Sequence, residues 1–330
     1  MSAAPVTMSR SRKGRPVNGW LAVDKAIGFS SMQVVGRVRN LLDAQKAGHA
    51  GTLDPLASGV LPIALGEATK TVPYVMESVK TYKFTACFGE GRDTDDLEGR
   101  VFETSDRRPD DSEIQYALRN FTGVISQVPP LYSAIKIGGQ RSYKRARAGE
   151  AELPAARPVE VSRLELVDRP DPDHAVFEVD CGKGTYIRSL ARDLGKVLGT
   201  VAHVSELRRT RCGPFHEKDA ISLDTLAGSV LCAPPQESLL DVMTALDDIP
   251  ALAMTATQAR YLRHGRAVRV RSGSAIFVDG TQLDTICDGD VLCAMSGDTP
   301  VALARLEGEE IRPLRVFNLE GASKESAEME

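Results

Sequence analysis

A chain of 330 residues that is 42% hydrophobic and 26% charged is globular, and at ~150 residues per domain it divides into about two domains. It has no run of ~20 apolar residues to span a bilayer, and its basic N-terminus lacks the apolar stretch of a secretory leader before Asp24 and Lys25, so a cytoplasmic protein without a membrane partner is expected. The formal net charge of -4 would argue against a nucleic-acid partner if the charge were evenly spread, but it is clustered.

Residues 1–16, rich in Ser, Arg and Pro, predict a disordered basic arm. Trp20 to Val23 reads as a short strand ending at Asp24 and Lys25. Ser30 or Ser31 can then cap a helix whose Val34, Val35, Val38, Leu41 and Leu42 recur at helical spacing. Lys25, at a strand-to-helix turn, can hold a phosphate or a carboxylate, or be a plain surface lysine.

The stretch Lys46 to Lys70, KAGHAGTLDPLASGVLPIALGEATK, carries four glycines and two prolines and needs backbone shapes that core segments avoid. Asp54 precedes Pro55, whose ring drives it toward an extended conformation, so its carboxylate is presented on a bend. Asp before Pro is also a common turn initiator, and the pair alone decides nothing. His49 lies in the same glycine-rich turn.

From Thr81 to Phe88, alternation puts Tyr82, Phe84, Ala86 and Phe88 on one strand face, where Tyr82 is either core or the lining of a cleft. Gly89 to Arg100, GEGRDTDDLEGR, fails the EF-hand pattern and reads as a solvated acidic hairpin loop. Asp110 to Asn120 is an amphipathic helix. Gln127 to Glu150 interleaves Tyr132 and Tyr143 with Lys136, Arg141, Lys144, Arg145 and Arg147, the mixture of rings and cations that an unstacked RNA base and its phosphates require.

Val159 to Val167 and His174 to Cys181 read as paired strands. A glycine turn follows, then Thr185 as a cap and a helix with Arg188 and Arg192 on one face; one of these could meet a buried carboxylate, or both could form surface pairs worth under ~1 kcal/mol. Val201 to Cys212 is a strand carrying Arg208, Arg209 and Arg211. A domain boundary falls near Leu246 to Pro250. Beyond it, a helix at Gln258 to Arg263 and short strands at 267–270, 290–295, 301–306 and 311–317 suggest a small β-barrel-like module rimmed by Arg260, Arg263, Arg266, Arg269 and Arg271. Three separate basic clusters favour a polyanion track. Six cysteines and five histidines show no CxxC pair and no zinc spacing, so reduced thiols and no metal are expected.

The central stretch resembles the signature Gly-His-x-Gly-x-Leu-Asp-Pro-x-Ala-x-Gly-Val-Leu-Pro of the bacterial tRNA pseudouridine synthase B (TruB) family. It matches at Gly48, His49, Gly51, Leu53, Asp54, Pro55, Ala57, Gly59, Val60, Leu61 and Pro62. The neighbouring blocks GWLAVDKAIGFSS, PPLYSAIKIGGQRSYKRAR, GKGTYIRSLARDLG and HVSELRRT match too, in family order. The resemblance is dense from Asn18 to Pro214 and continues through the C-terminal module, which is similar to the PUA RNA-binding domain. Ala26 departs from the proline usual after the motif lysine, which should loosen that turn.

The resemblance implies an α+β pseudouridine synthase fold, with a central mixed, largely antiparallel sheet and a catalytic cleft. The catalytic domain would span 17–246 with an RNA-binding insertion at 127–150, followed by a PUA-like domain at 247–318 and an acidic flexible tail at 319–330. The implied reaction isomerises uridine to pseudouridine at position 55 in the T loop of tRNA after the base is flipped out, with no cofactor or metal. In the implied site, Asp54 is the nucleophile and Arg188 the cation that keeps it ionised. Tyr82 stacks on the base and can serve as general base, Lys25 supports the site, Leu207 lines the base pocket and His49 fills the vacated space. Tyr132, Lys136, Arg141, Tyr143, Lys144 and Arg145 would bind RNA. The partner is tRNA, held at its T arm and acceptor stem by a monomer with no obligate protein partner. A tRNA-binding or folding protein with secondary or absent catalysis is the alternative, and a guide-RNA-dependent synthase is a further one. A hydrolase is disfavoured because the site motifs hold no second acid.

Overall fold

The computed structural model describes residues 14–133, 135–137, 139–142, 145, 150, 152–232, 239–270 and 286–319. The expectations for residues 1–13, Tyr143, Lys144, Arg147, Arg271 and the tail from Glu320 lie outside these residues.

The chain forms β1 (Gly19–Lys25), α1 (Ser31–Leu41), β2 (Ala47–His49), β3 (Ala57–Leu65), α2 (Val72–Glu77), β4 (Lys80–Phe88), β5 (Glu90–Arg92), β6 (Val101–Thr104), α3 (Asp111–Leu118), β7 (Gly123–Gln127), β8 (Lys136–Ile137) and β9 (Gln140–Arg141). There follow β10 (Arg157–Asp168), β11 (His174–Cys181), α4 (Ile187–Val197), β12 (Ala202–Cys212), β13 (Phe215–His216) and α5 (Leu223–Cys232). A nine-stranded sheet runs β1-β3-β12-β4-β11-β10-β7, with β2 paired to β3 and β13 to β12. Its pairings are antiparallel except for β3 and β12, so the expected α+β architecture with a largely antiparallel sheet is present.

The sequence reasons are local. β3 is an almost continuous apolar run and is buried along nearly its whole length, as a strand covered on both faces must be. Helix α1 starts at Ser30, whose hydroxyl accepts the Gln33 amide while the Gln33 side chain caps back, a full capping box. Its Val34, Val35 and Val38 pack with Leu61 and Ile63 of β3. Helix α4 lays Ile187, Leu190, Ala191 and Leu194 against Phe84, Phe177 and Val204 of the sheet.

The C-terminal unit contains β14 (Ala251–Ala253), α6 (Ala256–Arg263), β15 (Val268–Arg269), β16 (Val291–Ser296), β17 (Thr299–Glu307) and β18 (Glu310–Val316), in a five-stranded sheet ordered β14-β16-β17-β18-β15. Strand β14 was not expected from its alanine-rich sequence; it forms because Ala251 to Ala253 pairs in parallel with Cys293 to Met295. An apolar seam of Trp20, Val75 and Phe215 with Cys293, Leu303 and Phe317 joins the two units. Lys70 Nζ adds a hydrogen bond to the Val316 carbonyl at 2.7 Å. Among the described residues no helix is long and apolar enough to cross a membrane.

Where β3 and β12 run side by side, Gly59 faces Arg209. Its φ is +99° and a Cβ there would lie 2.2 Å from the Arg209 carbonyl oxygen. Gly59→Ala is therefore expected to cost about 3 kcal/mol in denaturant unfolding. Gly28→Ala, with φ +92° but nothing within 4 Å of its Cβ, should cost about 1 kcal/mol. Equal losses would mean that backbone conformation, and not the strand contact, sets the penalty.

Candidate active site

Asp54 sits on a loop clamped on both flanks by the segment that runs from the end of β1 to the start of α1. On one side the Ser31 hydroxyl accepts the Leu53 N–H at 2.8 Å and donates to the Leu53 carbonyl at 3.0 Å. On the other the Pro55 carbonyl accepts the Gly28 N–H at 2.8 Å and Lys25 Nζ at 3.4 Å. Lys25 is fully buried, and its ammonium also donates to the carbonyls of Ala26 and Phe29 at 3.1 and 2.8 Å. The turn that lacks proline at Ala26 is thus tied down by the lysine itself. Burial lowers the Lys25 pKa to about 8, with Asp54 pulling it up and Arg209 pushing it down. The site serves this lysine mainly through backbone carbonyls.

Arg188, from the first turn of α4, reaches Asp54 Oδ2 with Nη2 at 2.9 Å. The Asp54 side chain remains 42% exposed while Arg188 is buried. The same guanidinium contacts Asp96 at 3.3 Å and donates to the carbonyls of Thr94 at 2.9 Å and Tyr132 at 3.1 Å. One turn on, Arg192 pairs with Asp95 at 2.9 Å and Asp193 at 2.8 Å.

These contacts correct the reading of GEGRDTDDLEGR as a solvated acidic loop. The β5–β6 hairpin forms, but Asp95 and Asp96 are each only 8% exposed, because two arginines from a distant helix face neutralise them. Burial pushes the Asp95 carboxyl up to about 6 despite the opposing pull of Arg192 and Arg188. Thr185 does not cap α4. Tyr186 holds the cap position without a side-chain cap bond, and Thr185 donates to the Gly182 carbonyl. Buried Gln127 instead holds Tyr186, its side chain accepting that residue's N–H at 2.8 Å and donating to its carbonyl at 3.1 Å.

Asp54, Tyr82, Arg188 and Leu207 line one cavity of about 320 Å³, together with Lys80 and Arg209. Tyr82 keeps its place on the face of β4 that carries Phe84, Ala86 and Phe88, and burial pushes its phenol up to about 12 against the pull of Arg209. Arg209 is 1% exposed. It donates to the carbonyls of Val60 at 2.8 Å and Gly51 at 3.0 Å, and its guanidinium lies 5.9 Å from the Tyr82 ring centroid.

In the second basic cluster two of the three arginines are therefore engaged within the protein, while Arg211 stays exposed. Arg209 faces inward, and Arg208 is paired with Asp24 at 3.0 Å and Glu217 at 2.9 Å. Sequence reasoning missed the site contacts of Arg209, Asp96 and Ser31, although Ser31 lies in the block GWLAVDKAIGFSS and Arg209 in HVSELRRT. His49 stands on β2, paired with Ile63, and is not among the residues that line the cavity; burial and Arg209 lower its pKa. Tyr132 contributes its backbone carbonyl to Arg188. Lys136 and Arg141 pair across the short β8–β9 hairpin, and Arg145 forms an ion pair with Glu152 at 3.0 Å. Among the described residues no cluster suited to a metal ion is found.

Comparison with known proteins adds relatives to this geometry. Residues 39–187 match the TruB family pseudouridylate synthase N-terminal domain, and residues 188–249 the tRNA pseudouridylate synthase B C-terminal domain. The tRNA pseudouridine synthase B of Bradyrhizobium diazoefficiens is 54% identical over 317 residues, covering 94% of this chain and 88% of that protein. That of Gluconacetobacter diazotrophicus is 52% identical over 309 residues, covering 93% and 100%. Among solved structures, a chain of an H/ACA RNP bound to a substrate RNA containing 2'-deoxyuridine superposes with a TM-score of 0.70 at 24% identity over 94% of this chain and 92% of that one. A chain of an archaeal box H/ACA sRNP complex does so at 0.67 and 24%, over 91% and 86%. At that identity the likeness is one of fold.

Because its pKa is raised from 10.0 to about 12, Tyr82 stays a neutral phenol across the physiological range and ionises only in strong alkali. The phenolate absorbance difference between wild type and Tyr82→Phe is expected to stay flat to about pH 11. A step near the ordinary tyrosine pKa would show that water reaches the hydroxyl.

Proposed function

The chain belongs to the TruB family of pseudouridylate synthases, and on that premise we propose that Asp54 is the nucleophile with which it isomerises uridine to pseudouridine in tRNA. The observation that carries this reading is the 2.9 Å contact of Asp54 with buried Arg188 at a cavity also lined by Tyr82 and Leu207.

The reaction breaks the glycosidic C–N bond, turns the base and rejoins it to the ribose through carbon, with no redox change and no net hydrolysis. A carboxylate that is half open to the cavity can reach the nucleotide, and a cation fixed behind it holds it in place. Tyr82 offers a ring on which the flipped base stacks, and Leu207 an apolar wall. As a neutral phenol, Tyr82 can take up a proton-transfer role only by passing its own proton on. Lys25 acts through the backbone, holding the Pro55 carbonyl and with it the Asp54 loop.

The target is the T-loop uridine at position 55. His49 fills the space it leaves, and Tyr132, Lys136, Arg141, Tyr143, Lys144 and Arg145 bind the T arm. The division at 246/247 separates the catalytic domain from a PUA-like unit whose exposed Arg260, Arg263 and Arg266 meet the acceptor stem. The enzyme works in the cytoplasm as a monomer, without cofactor or protein partner.

The test is incubation of purified protein with an unmodified tRNA transcript labelled at its T-loop uridines, followed by mapping of pseudouridine. Wild type should modify the T-loop position alone, while Asp54→Asn should bind the transcript with similar affinity and leave it unmodified. Tightly bound, unmodified tRNA from both proteins would put a tRNA-folding role in its place. Release of free uracil would point to a hydrolase, and a requirement for added guide RNA to the ribonucleoprotein class.

A further inference from the structure

We infer that Asp95 and Arg192 form a positioning pair that sets Arg188 against Asp54, an inference that rests on the nucleophile reading above. Arg188 makes four polar contacts, and three of them come from two segments outside its own helix and outside the Asp54 loop. Thr94 and Asp96 supply a carbonyl and a carboxylate from the acidic hairpin, and Tyr132 supplies a carbonyl from the segment after β7. Arg192, one helical turn from Arg188, holds both segments.

Its Nη1 takes Asp95 at 2.9 Å, between the two hairpin residues that Arg188 uses, and its Nη2 donates to the Val128 carbonyl at 2.8 Å, four residues before Tyr132. Both segments outside the Asp54 loop in which Arg188 finds a partner are thus anchored by Arg192 within a few residues. The two arginines share a face of α4, so one rigid helix sets the spacing of both anchors.

Asp95 itself adopts φ +60°, a left-handed conformation that non-glycine residues rarely take. Its N–H donates to Arg92 and its carbonyl accepts from Val204, both at 3.0 Å. In that bend its side chain meets Arg192 while the next residue's carboxylate meets Arg188. Asp95 and Arg192 do not line the cavity of Asp54 and Tyr82. A carboxylate this buried raises its own pKa, a cost that a loop with only a solubilising task would avoid by turning the acid outward.

The experiment compares wild type with Asp95→Asn, Arg192→Gln, their double variant, Arg192→Lys and Asp54→Asn. It measures kcat and KM on the unmodified tRNA transcript, tRNA affinity, and thermal unfolding to establish that each protein is folded at the assay temperature. The single variants should lose about tenfold in kcat with KM and affinity unchanged. The double variant should be no slower than the slower single one, since the two side chains act through one contact. Arg192→Lys, which keeps the charge, should recover part of the loss.

A wild-type kcat in folded Asp95→Asn and Arg192→Gln, with only the unfolding temperature lowered, would overturn the inference. So would losses that multiply in the double variant, or that appear in tRNA affinity. If the single variants prove unfolded, Arg192→Lys decides alone: a wild-type kcat in it overturns the inference, and a reduced kcat at unchanged KM supports it. Activity surviving in Asp54→Asn would remove the nucleophile reading instead, whereas an inert Asp54→Asn beside fully active pair variants removes this inference alone.

Discussion

The guanidinium of Arg188 is the constraint around which the site is assembled. A buried cation is tolerated only when its hydrogen-bonding capacity is met, and the planar fork of arginine can satisfy several acceptors at fixed angles where a lysine ammonium could not. Asp96 and the carbonyls of Thr94 and Tyr132 take part of that capacity, leaving Asp54 as the partner with an exposed side chain. The Asp54 carboxylate is thereby held from behind while its outer face stays open. This requires α4 to be seated immovably, which Ile187, Leu190 and Leu194 in the sheet core and Gln127 at the Tyr186 backbone accomplish together.

Two further buried cations act in the same way on different strands. Arg209 gives its donors to the carbonyls of Val60 and Gly51, and Gly51 itself adopts φ +92°, a conformation that favours glycine, with its Cβ position 3.1 Å from the guanidinium. Lys25 gives its donors to three carbonyls around the Asp54 loop. The positive charge of Arg209 and Lys25 is therefore held by backbone dipoles, whereas Arg188 and Arg192 also draw in carboxylates. Such fixed dipoles and charges need no reorganisation when a reaction proceeds above them.

How much of this was legible in the sequence depended on the range of the interaction. The capping box at Ser30 and Gln33, the alternation from Tyr82 to Phe88 and the continuous apolar run of β3 all follow from neighbours a few residues apart, and the structure has them. The burial of Asp95 and Asp96 follows from arginines about 92 to 97 residues away by sequence number, and nothing local distinguishes such acids from a solvated hairpin. Arg209 was misread for the same reason: within a run of basic residues its inward direction is set by strand register against Gly59, not by composition. The motif resemblance drew attention to Asp54 and Arg188, but only the fold discloses that Ser31 and Gln127 hold the backbone on which each depends.

The C-terminal unit is tied into the same mechanics through α2. Val75 of that short helix belongs to the apolar seam with Cys293, Leu303 and Phe317, while the adjacent Met76 lines the Asp54 cavity. Lys80, another cavity residue, donates to the Met76 carbonyl at 2.6 Å and also to that of Ser78, so the end of α2 is fixed to the first residue of β4, two positions before Tyr82. A displacement of the C-terminal sheet would be felt at Val75 and transmitted through a helix of six residues to the edge of the cavity. Close packing resists such shifts, because interiors at crystal-like density do not yield locally without strain. The seam therefore fixes one wall of the site as well as joining two units.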